Sequence, residues 1–309
     1  MDQIADIPAR VTASAEPRTC RPPVPVSGRP AFRPPPGSCD AHVHVFADPA
    51  RHPYVAERSF TPPPGLSLAA LDRLHAALGF DRSVIVQTGI QSPDVMLEAL
   101  RAEPDRLRGV AVLKGDATDR RIAELDEAGV RGLRVNLFRR EGRQVYRGGA
   151  GFEDIEALAP RIRRFGWHVQ AWLDAEDLPH WGPRLLALGL DIVVDHMGRI
   201  TTDRGLDSPG FAYLCEMLRR GRAWCKLSCA DRISVTGAPF ADVVPYARAL
   251  VEANQDQVVW GTDWPHVNYF DTAVPSDTAL LDLLAAFAPD ESDRERLLVT
   301  NPRQLYRFN

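Results

Sequence analysis

From Ser38 to the C-terminus, short β-branched runs alternate with longer stretches whose apolar residues recur every three or four positions. The runs are CDAHVHVF (39–46), RSVIVQT (82–88), RGVAVL (108–113), VRGLRVNLF (130–138), WHVQAWL (167–173), DIVVDH (191–196), AWCKLSC (223–229) and QVVWGTD (257–263). Many are apolar throughout, as strands buried on both faces are. Between them, LSLAALDRLHAALG (66–79), TDRRIAELDEAGV (118–130), FEDIEALAPRIRRFG (152–166), FAYLCEMLRRG (211–221) and ADVVPYARALVEAN (241–254) carry helical spacing, and several close on glycine. Eight strands alternating with helices predict an α/β chain folded as a (β/α)8 TIM barrel over residues 38–309. A doubly wound open sheet would alternate similarly but would need a glycine-rich phosphate turn. Neither GxGxxG nor GxxxxGK[ST] occurs, and the glycine-rich segment GRQVYRGGAG (142–151) reads as a loop.

Ahead of this pattern, residues 1–37 hold nine prolines and no hydrophobic period, which predicts a flexible, extended leader. With 309 residues, 25% charged, and a net charge of −4, nothing marks nucleic acid or an anionic membrane as a partner. No apolar run approaches the roughly 20 residues of a membrane span, and no basic-then-apolar signal pattern opens the chain, so cytoplasmic residence is the default. No self-complementary patch is legible, which leaves a homo-oligomer open. The five cysteines (20, 39, 215, 225 and 229) are odd in number and lack metal-finger spacing, as expected of reduced thiols. Cys229 closes a strand near the expected site, but no partner base is assigned to it by sequence.

A strand's period of two places His42 and His44 on one face, about 7 Å apart, able to grip one metal ion or one carbonyl oxygen. VVDHMGR ends a later run at His196, and VVWGTDWPH ends another at Asp263. In a barrel, catalytic groups gather at the C-terminal ends of strands, where these four residues fall. A carboxylate there can take a proton from water while imidazoles or a metal polarise the electrophile. Arg134, Arg140, Arg199 and Arg232 fall at the same ends, and several guanidinium groups at one mouth suit a small anionic substrate. His52, His75, His168 and His180 read as structural or solvated; His266 either lines the mouth or orients the WPH turn.

HxH on the first strand, VVDHMGR, GTDWPH and the closing NPRQLYRF (301–308) together resemble the amidohydrolase superfamily, in particular its amidohydrolase-related (amidohydrolase 2) group of dicarboxylate lactonases. The likeness runs from about Ser38 to the C-terminus and includes FDRSVIVQT, AGVRGLRVN, KLSCADRISVTG and ADVVPYAR. It implies a hydrolase opening a carboxylate-bearing lactone, such as a 2-pyrone-4,6-dicarboxylate-like, muconolactone-like or sugar-acid lactone, in aromatic or sugar-acid catabolism. By motif, Asp263 becomes the base, His42, His44 and His196 the carbonyl-polarising set, and Arg134, Arg140, Arg199 and Arg232 the carboxylate clamps. Where that pattern places tyrosines, this chain has Phe60 in ERSFTPP and Trp172 in VQAWLD, which implies a different lactone.

The fourth strand offers Arg134 and Asn136, and the fifth Gln170 and Trp172, so a binuclear metal centre is not expected. The resemblance implies catalysis without a cofactor. The alternative is one zinc or manganese ion on His42, His44, His196 and Asp263, in a mononuclear decarboxylase or amide hydrolase. A barrel that binds a small acid without turnover is the third reading.

Overall fold

Strands form where the apolar runs predict them: β1 (Cys39–Val43), β2 (Arg82–Val86), β3 (Leu107–Ala111), β4 (Val130–Asn136), β5 (Arg139–Arg140), β6 (Arg143–Gln144), β7 (His168–Trp172), β8 (Ile192–Val194), β9 (Trp224–Leu227) and β10 (Val258–Trp260). The computed structural model describes residues 17–140 and 143–309, without the side chains of 140, 143 and 144. Eight strands pair in parallel in the order β1-β2-β3-β4-β7-β8-β9-β10, while β5 and β6 make a small antiparallel hairpin. Beyond β10 the chain closes the ring on β1: Asp263 N–H donates to His42 O at 2.9 Å, and His44 N–H donates to Trp264 O at 2.8 Å. Gly261 permits this approach, because a Cβ there would lie 2.6 Å from His42 N. The fold is thus the expected (β/α)8 barrel.

Helices α1 (Leu68–Leu78), α2 (Asp94–Ala102), α3 (Asp119–Glu127), α4 (Phe152–Ile162), α5 (Leu178–Ala187), α6 (Pro209–Arg219), α7 (Ala230–Ile233), α8 (Val244–Ala253), α9 (Asp277–Phe287), α10 (Glu291–Glu295) and α11 (Asn301–Tyr306) lie between and after the strands. They bury their apolar faces on the outward side chains of the strands, such as Ile85, Leu133, Val169 and Val194, each contributing about 1.5–3 kcal/mol. The sequence patterns did not single out α2, α5 or α9. Helix α5 contains Gly182 and Pro183, residues that argue against a helix; Gly182 is required because a Cβ would meet the Tyr213 ring at 2.6 Å. Tertiary packing there outweighs local propensity.

Inside the barrel, Cys39, Ala41, Val84, Val86, Val110, Val193, Trp224 and Val259 form a separate apolar layer plugged by Tyr306 and Phe308. Next to it sits a polar layer of Arg134, Gln170, Asp195 and Lys226, all buried. The pairing of β1 with β2 slips between Asp40 and Val43. This bulge leaves Ala41 in the inner apolar layer and Val43 in the outer core, while His42 and His44 turn to the site.

Within the described residues, the leader runs against the barrel from residue 17 onward. Cys20 N–H donates to Thr61 O at 2.9 Å, Arg21 N–H to Tyr269 O at 2.7 Å, and Cys20 Sγ accepts from Asn268 N–H at 3.2 Å. These contacts hold the loop that follows Asp263. No helix among the described residues is long and apolar enough to cross a membrane.

Candidate active site

Three neighbouring strand ends each turn through a left-handed residue: His196 (φ 55°) after β8, Cys229 (φ 60°) after β9 and Asp263 (φ 64°) after β10. Such a backbone costs a side-chain-bearing residue roughly 1–2 kcal/mol, and it persists only where surrounding contacts impose it. Here it brings the side chains of His196, Cys229 and Asp263 toward one another.

Oδ1 of Asp263 is the focus. His44 Nε2 lies 3.4 Å from it, His42 Nε2 3.6 Å and His196 Nε2 4.0 Å. The far nitrogen of each ring is held as well: His44 Nδ1 by Val86 O at 2.6 Å, His196 Nδ1 by Ser228 Oγ at 2.8 Å, and His42 Nδ1 between Lys226 Nζ and Asp195 Oδ1, both at 3.4 Å. Burial alone would raise the pKa of Asp263, but His196, His44 and His42 outweigh it and hold the carboxyl well below its usual range. His196 is driven down to about 4, first by burial, so its ring is neutral at neutral pH. Burial and the Lys226 charge hold His42 low in the same way. The other oxygen of Asp263, Oδ2, accepts from the Cys229 thiol at 3.0 Å. Burial, then the charges of Asp263 and Asp231, push that thiol well above its ordinary pKa, so Cys229 is a hydrogen-bond donor to the carboxylate and not a thiolate nucleophile.

A cavity of about 710 Å³, counted out to its open mouth, lies over this cluster and is lined by His44, His196 and Asp263 together with Arg134, Arg199, Arg232, Phe60 and Trp172. Eight of the ten site residues expected from sequence therefore meet at one cavity. His42, fully buried, lies behind it, and the side chain of Arg140 falls outside the described residues. The three guanidinium groups differ. Arg134 Nε donates to Asp195 Oδ2 at 3.0 Å, and its guanidinium lies 4.8 Å from the centre of the Trp172 ring. Arg232 is anchored by Val267 O and packs 3.8 Å from the Tyr269 ring centre. Arg199 is 8% exposed, its Nε has no hydrogen-bond partner, and no carboxylate of the described residues lies within ion-pairing distance of it. An uncompensated guanidinium in a cavity wall is a receptor for an anion. Loop residues 146–150 form the facing wall, with Tyr146 against Trp172 at 4.3 Å.

Sequence reasoning assigned no role to Asp195, Lys226 or Tyr146. Lys226 carried a usable signal: in AWCKLSC it alternates with Cys225 and Leu227 inside an apolar strand, which demands buried partners. It has them, donating to Ala41 O at 2.9 Å and Gln170 Oε1 at 2.7 Å, and burial lowers its pKa to about 8, which leaves it an ammonium at neutral pH. His266 does not line the cavity; it pairs with Asp277 at 2.9 Å and orients the turn after Asp263. His75 is structural, 3.3 Å from Asp40, whose carboxylate also accepts from Thr262 Oγ1 at 2.6 Å.

A barrel with this cluster at its strand ends has the architecture of an amidohydrolase. The amidohydrolase family model matches residues 39–308, and the chain belongs to that family. It is 38% identical over 289 residues to a 2-pyrone-4,6-dicarboxylate hydrolase of Comamonas testosteroni, covering 90% of this chain and 92% of that one. It is 37% identical over 279 residues to a 4-sulfomuconolactone hydrolase of Hydrogenophaga intermedia, covering 88% and 89%. A crystal structure of a protein from Agrobacterium tumefaciens superposes with a TM-score of 0.79 at 26% identity, covering 91% of this chain and 99% of that one. The relatives of this enzyme family member named here are thus lactone hydrolases.

Proposed function

We propose that this protein hydrolyses a small anionic lactone with water activated by Asp263. The observation that carries the reading is the convergence of three imidazole nitrogens on Asp263 Oδ1 beneath a cavity walled by guanidinium groups. Asp263, ionised at neutral pH, takes a proton from water, and the hydroxide adds to the lactone carbonyl. When the Ser228 hydroxyl donates to Nδ1 of His196, that ring carries its proton on Nε2 and donates to the developing oxyanion. His44, with Nδ1–H bonded to Val86 O, presents the lone pair of Nε2 to Asp263 Oδ1 at 3.4 Å and steadies the proton that the carboxyl group takes from water. The carbon to ring-oxygen bond then breaks, and the proton held by Asp263 passes to the leaving oxygen, giving a hydroxyl and a carboxylic acid that loses its remaining proton to solvent at neutral pH. Arg199 and Arg134, with Arg140 and Arg232, hold the acidic substituents, and Phe60 and Trp172 shape the ring pocket. A small acidic lactone is thereby the partner we assign, and the two hydrolase relatives support that class.

The donor set also fits one divalent ion, which favours a second reading. His42, His44 and Asp263 lie close enough to share it, with His196 Nε2 4.0 Å from Asp263 Oδ1 as the fourth donor it would use, each ring steadied at its far nitrogen as metal-binding histidines are. Zinc or manganese there would supply Lewis-acid polarisation in a metal-dependent hydrolase or decarboxylase. The Lys226 ammonium beside His42 and the three guanidinium groups at the cavity oppose a dication, so we favour the reading without a cofactor. Turnover of a panel of pyrone-dicarboxylate, muconate and sugar-acid lactones, on protein whose metal content is measured in the same preparation, tests this. Hydrolysis at substoichiometric metal is expected; no turnover of any lactone, with about one metal per chain, would move the assignment to the second reading.

A further inference from the structure

Lys226, fully buried behind the cavity, directs its ammonium at Ala41 O at 2.9 Å, Gln170 Oε1 at 2.7 Å and His42 Nδ1 at 3.4 Å, with Asp195 Oδ1 farther off at 3.8 Å. An ammonium only donates, so a ring nitrogen that bonds to it must offer a lone pair. Nδ1 has one competing neighbour, Asp195 Oδ1, also at 3.4 Å, which would instead require a proton on Nδ1. That oxygen makes no close hydrogen bond among the described residues and also faces the Lys226 ammonium at 3.8 Å, which offsets its pull on a ring proton, whereas Oδ2 accepts from Arg134 Nε at 3.0 Å and Gln170 Nε2 at 3.1 Å. Gln170 thus bridges the two neighbours of His42, its amide oxygen on Lys226 and its amide nitrogen on Asp195, which fixes both.

We propose that Lys226 locks His42 in the tautomer protonated at Nε2, making the imidazole a hydrogen-bond donor to Asp263 rather than a metal ligand. His42 Nε2 has no hydrogen-bond partner among the described residues and lies 3.6 Å from Asp263 Oδ1. A proton on Nε2 faces the carboxylate favourably. A lone pair there would oppose another lone pair in a fully buried place, an arrangement that a bound cation would relieve. The opposite tautomer is the one that ligates metal through Nε2. Lys226 touches neither the cavity nor, by this account, the substrate; it is a positioning residue acting through His42 on the base. The effect on turnover rests on the lactonase reading, whereas the tautomer does not.

The test is nitrogen NMR of the full-length protein labelled with 15N-histidine, with the His42 resonances assigned by their loss in His42→Gln. We expect a pyrrole-type Nε2 and a pyridine-type Nδ1; a proton on Nδ1, alone or together with Nε2, overturns the proposal without the need for a Lys226 variant. In Lys226→Met the proton moves to Nδ1 toward Asp195. Turnover (kcat) then falls on the order of 10²-fold, the scale of losing one preorganised hydrogen-bond donor, here the one that orients the Asp263 carboxylate, with KM changed less than about twofold. Zinc retained after dialysis rises from substoichiometric to about one per chain. A folded Lys226→Met protein that keeps the Nε2 proton, or retains no more zinc than the wild type, contradicts the proposal. An Nε2 proton on His42 in a protein that turns over no lactone upholds the tautomer and sinks the lactonase reading instead.

Discussion

The Cys229 thiol donates to Asp263 Oδ2 at 3.0 Å, so both oxygens of the candidate base are engaged, one by sulfur and the other by the histidine cluster. The thiol orients the carboxylate without competing for substrate. Cys229→Ala should lower kcat about tenfold, the scale of a lost hydrogen bond to a charged group, and Cys229→Ser should restore most of it. Because burial and two carboxylates raise the thiol pKa, native protein should resist alkylation at pH 8. Rapid inactivation by iodoacetamide at that pH, or full activity in Cys229→Ala, would count against this role.

Arg199 is buried in the cavity wall without a carboxylate partner among the described residues, which makes it costly in the empty protein and valuable in the complex. Arg199→Met should raise KM for an acidic lactone on the order of 10²-fold, equivalent to about 2–3 kcal/mol. The melting temperature should stay level or rise, because an unpaired buried charge is removed. An unchanged KM would remove Arg199 from anion binding.

Trp172 lies between Tyr146, at 4.3 Å, and the Arg134 guanidinium, at 4.8 Å, so its bulk sets the width of the cavity beside a cation. Trp172→Tyr should shift the ratio of kcat/KM between a dicarboxylate and a monocarboxylate lactone toward the dicarboxylate by about tenfold, or 1.4 kcal/mol. A ratio unaltered by the substitution would show that selection lies elsewhere.

The buried pair of His266 and Asp277 makes a prediction about stability. Burial pulls the His266 pKa down, but the Asp277 carboxylate more than offsets this and the value is raised above the ordinary histidine level; Asp231 and Asp263 act in the same sense. The folded protein therefore binds this proton more tightly than the unfolded chain does. Its stabilisation is fully present below about pH 6.5 and is lost as pH rises through the raised folded value. The difference in melting temperature between wild type and His266→Gln should be largest near pH 6 and shrink as the solution becomes alkaline. A difference that grew with pH would reverse the assignment.

Much of the barrel was legible because strands buried on both faces write continuous apolar runs, and each run became a strand. The four candidate site positions were legible for a related reason: His42, His44, His196 and Asp263 are polar residues at the ends of such runs. What could not be read is what depends on three-dimensional register. The bulge between Asp40 and Val43 decides that Ala41 and His42 both face inward, and a period of two cannot express it. The layer behind the site was hidden because Asp195, after the sixth barrel strand, and Lys226, on the seventh, meet His42 only when the closed ring brings those strands to face the first. Helix α5 was missed because a glycine and a proline inside it are tolerated for packing reasons that local sequence does not carry.

Asp263→Asn is the most direct test of the central claim, because amide for carboxylate keeps the shape of the side chain and removes the base. Measured on whichever lactone the wild type opens fastest, with circular dichroism and melting temperature recorded on the same samples, the variant should keep its fold and lose turnover by at least about 10⁴-fold. A folded Asp263→Asn protein that hydrolyses the lactone at a rate near that of the wild type would contradict the account.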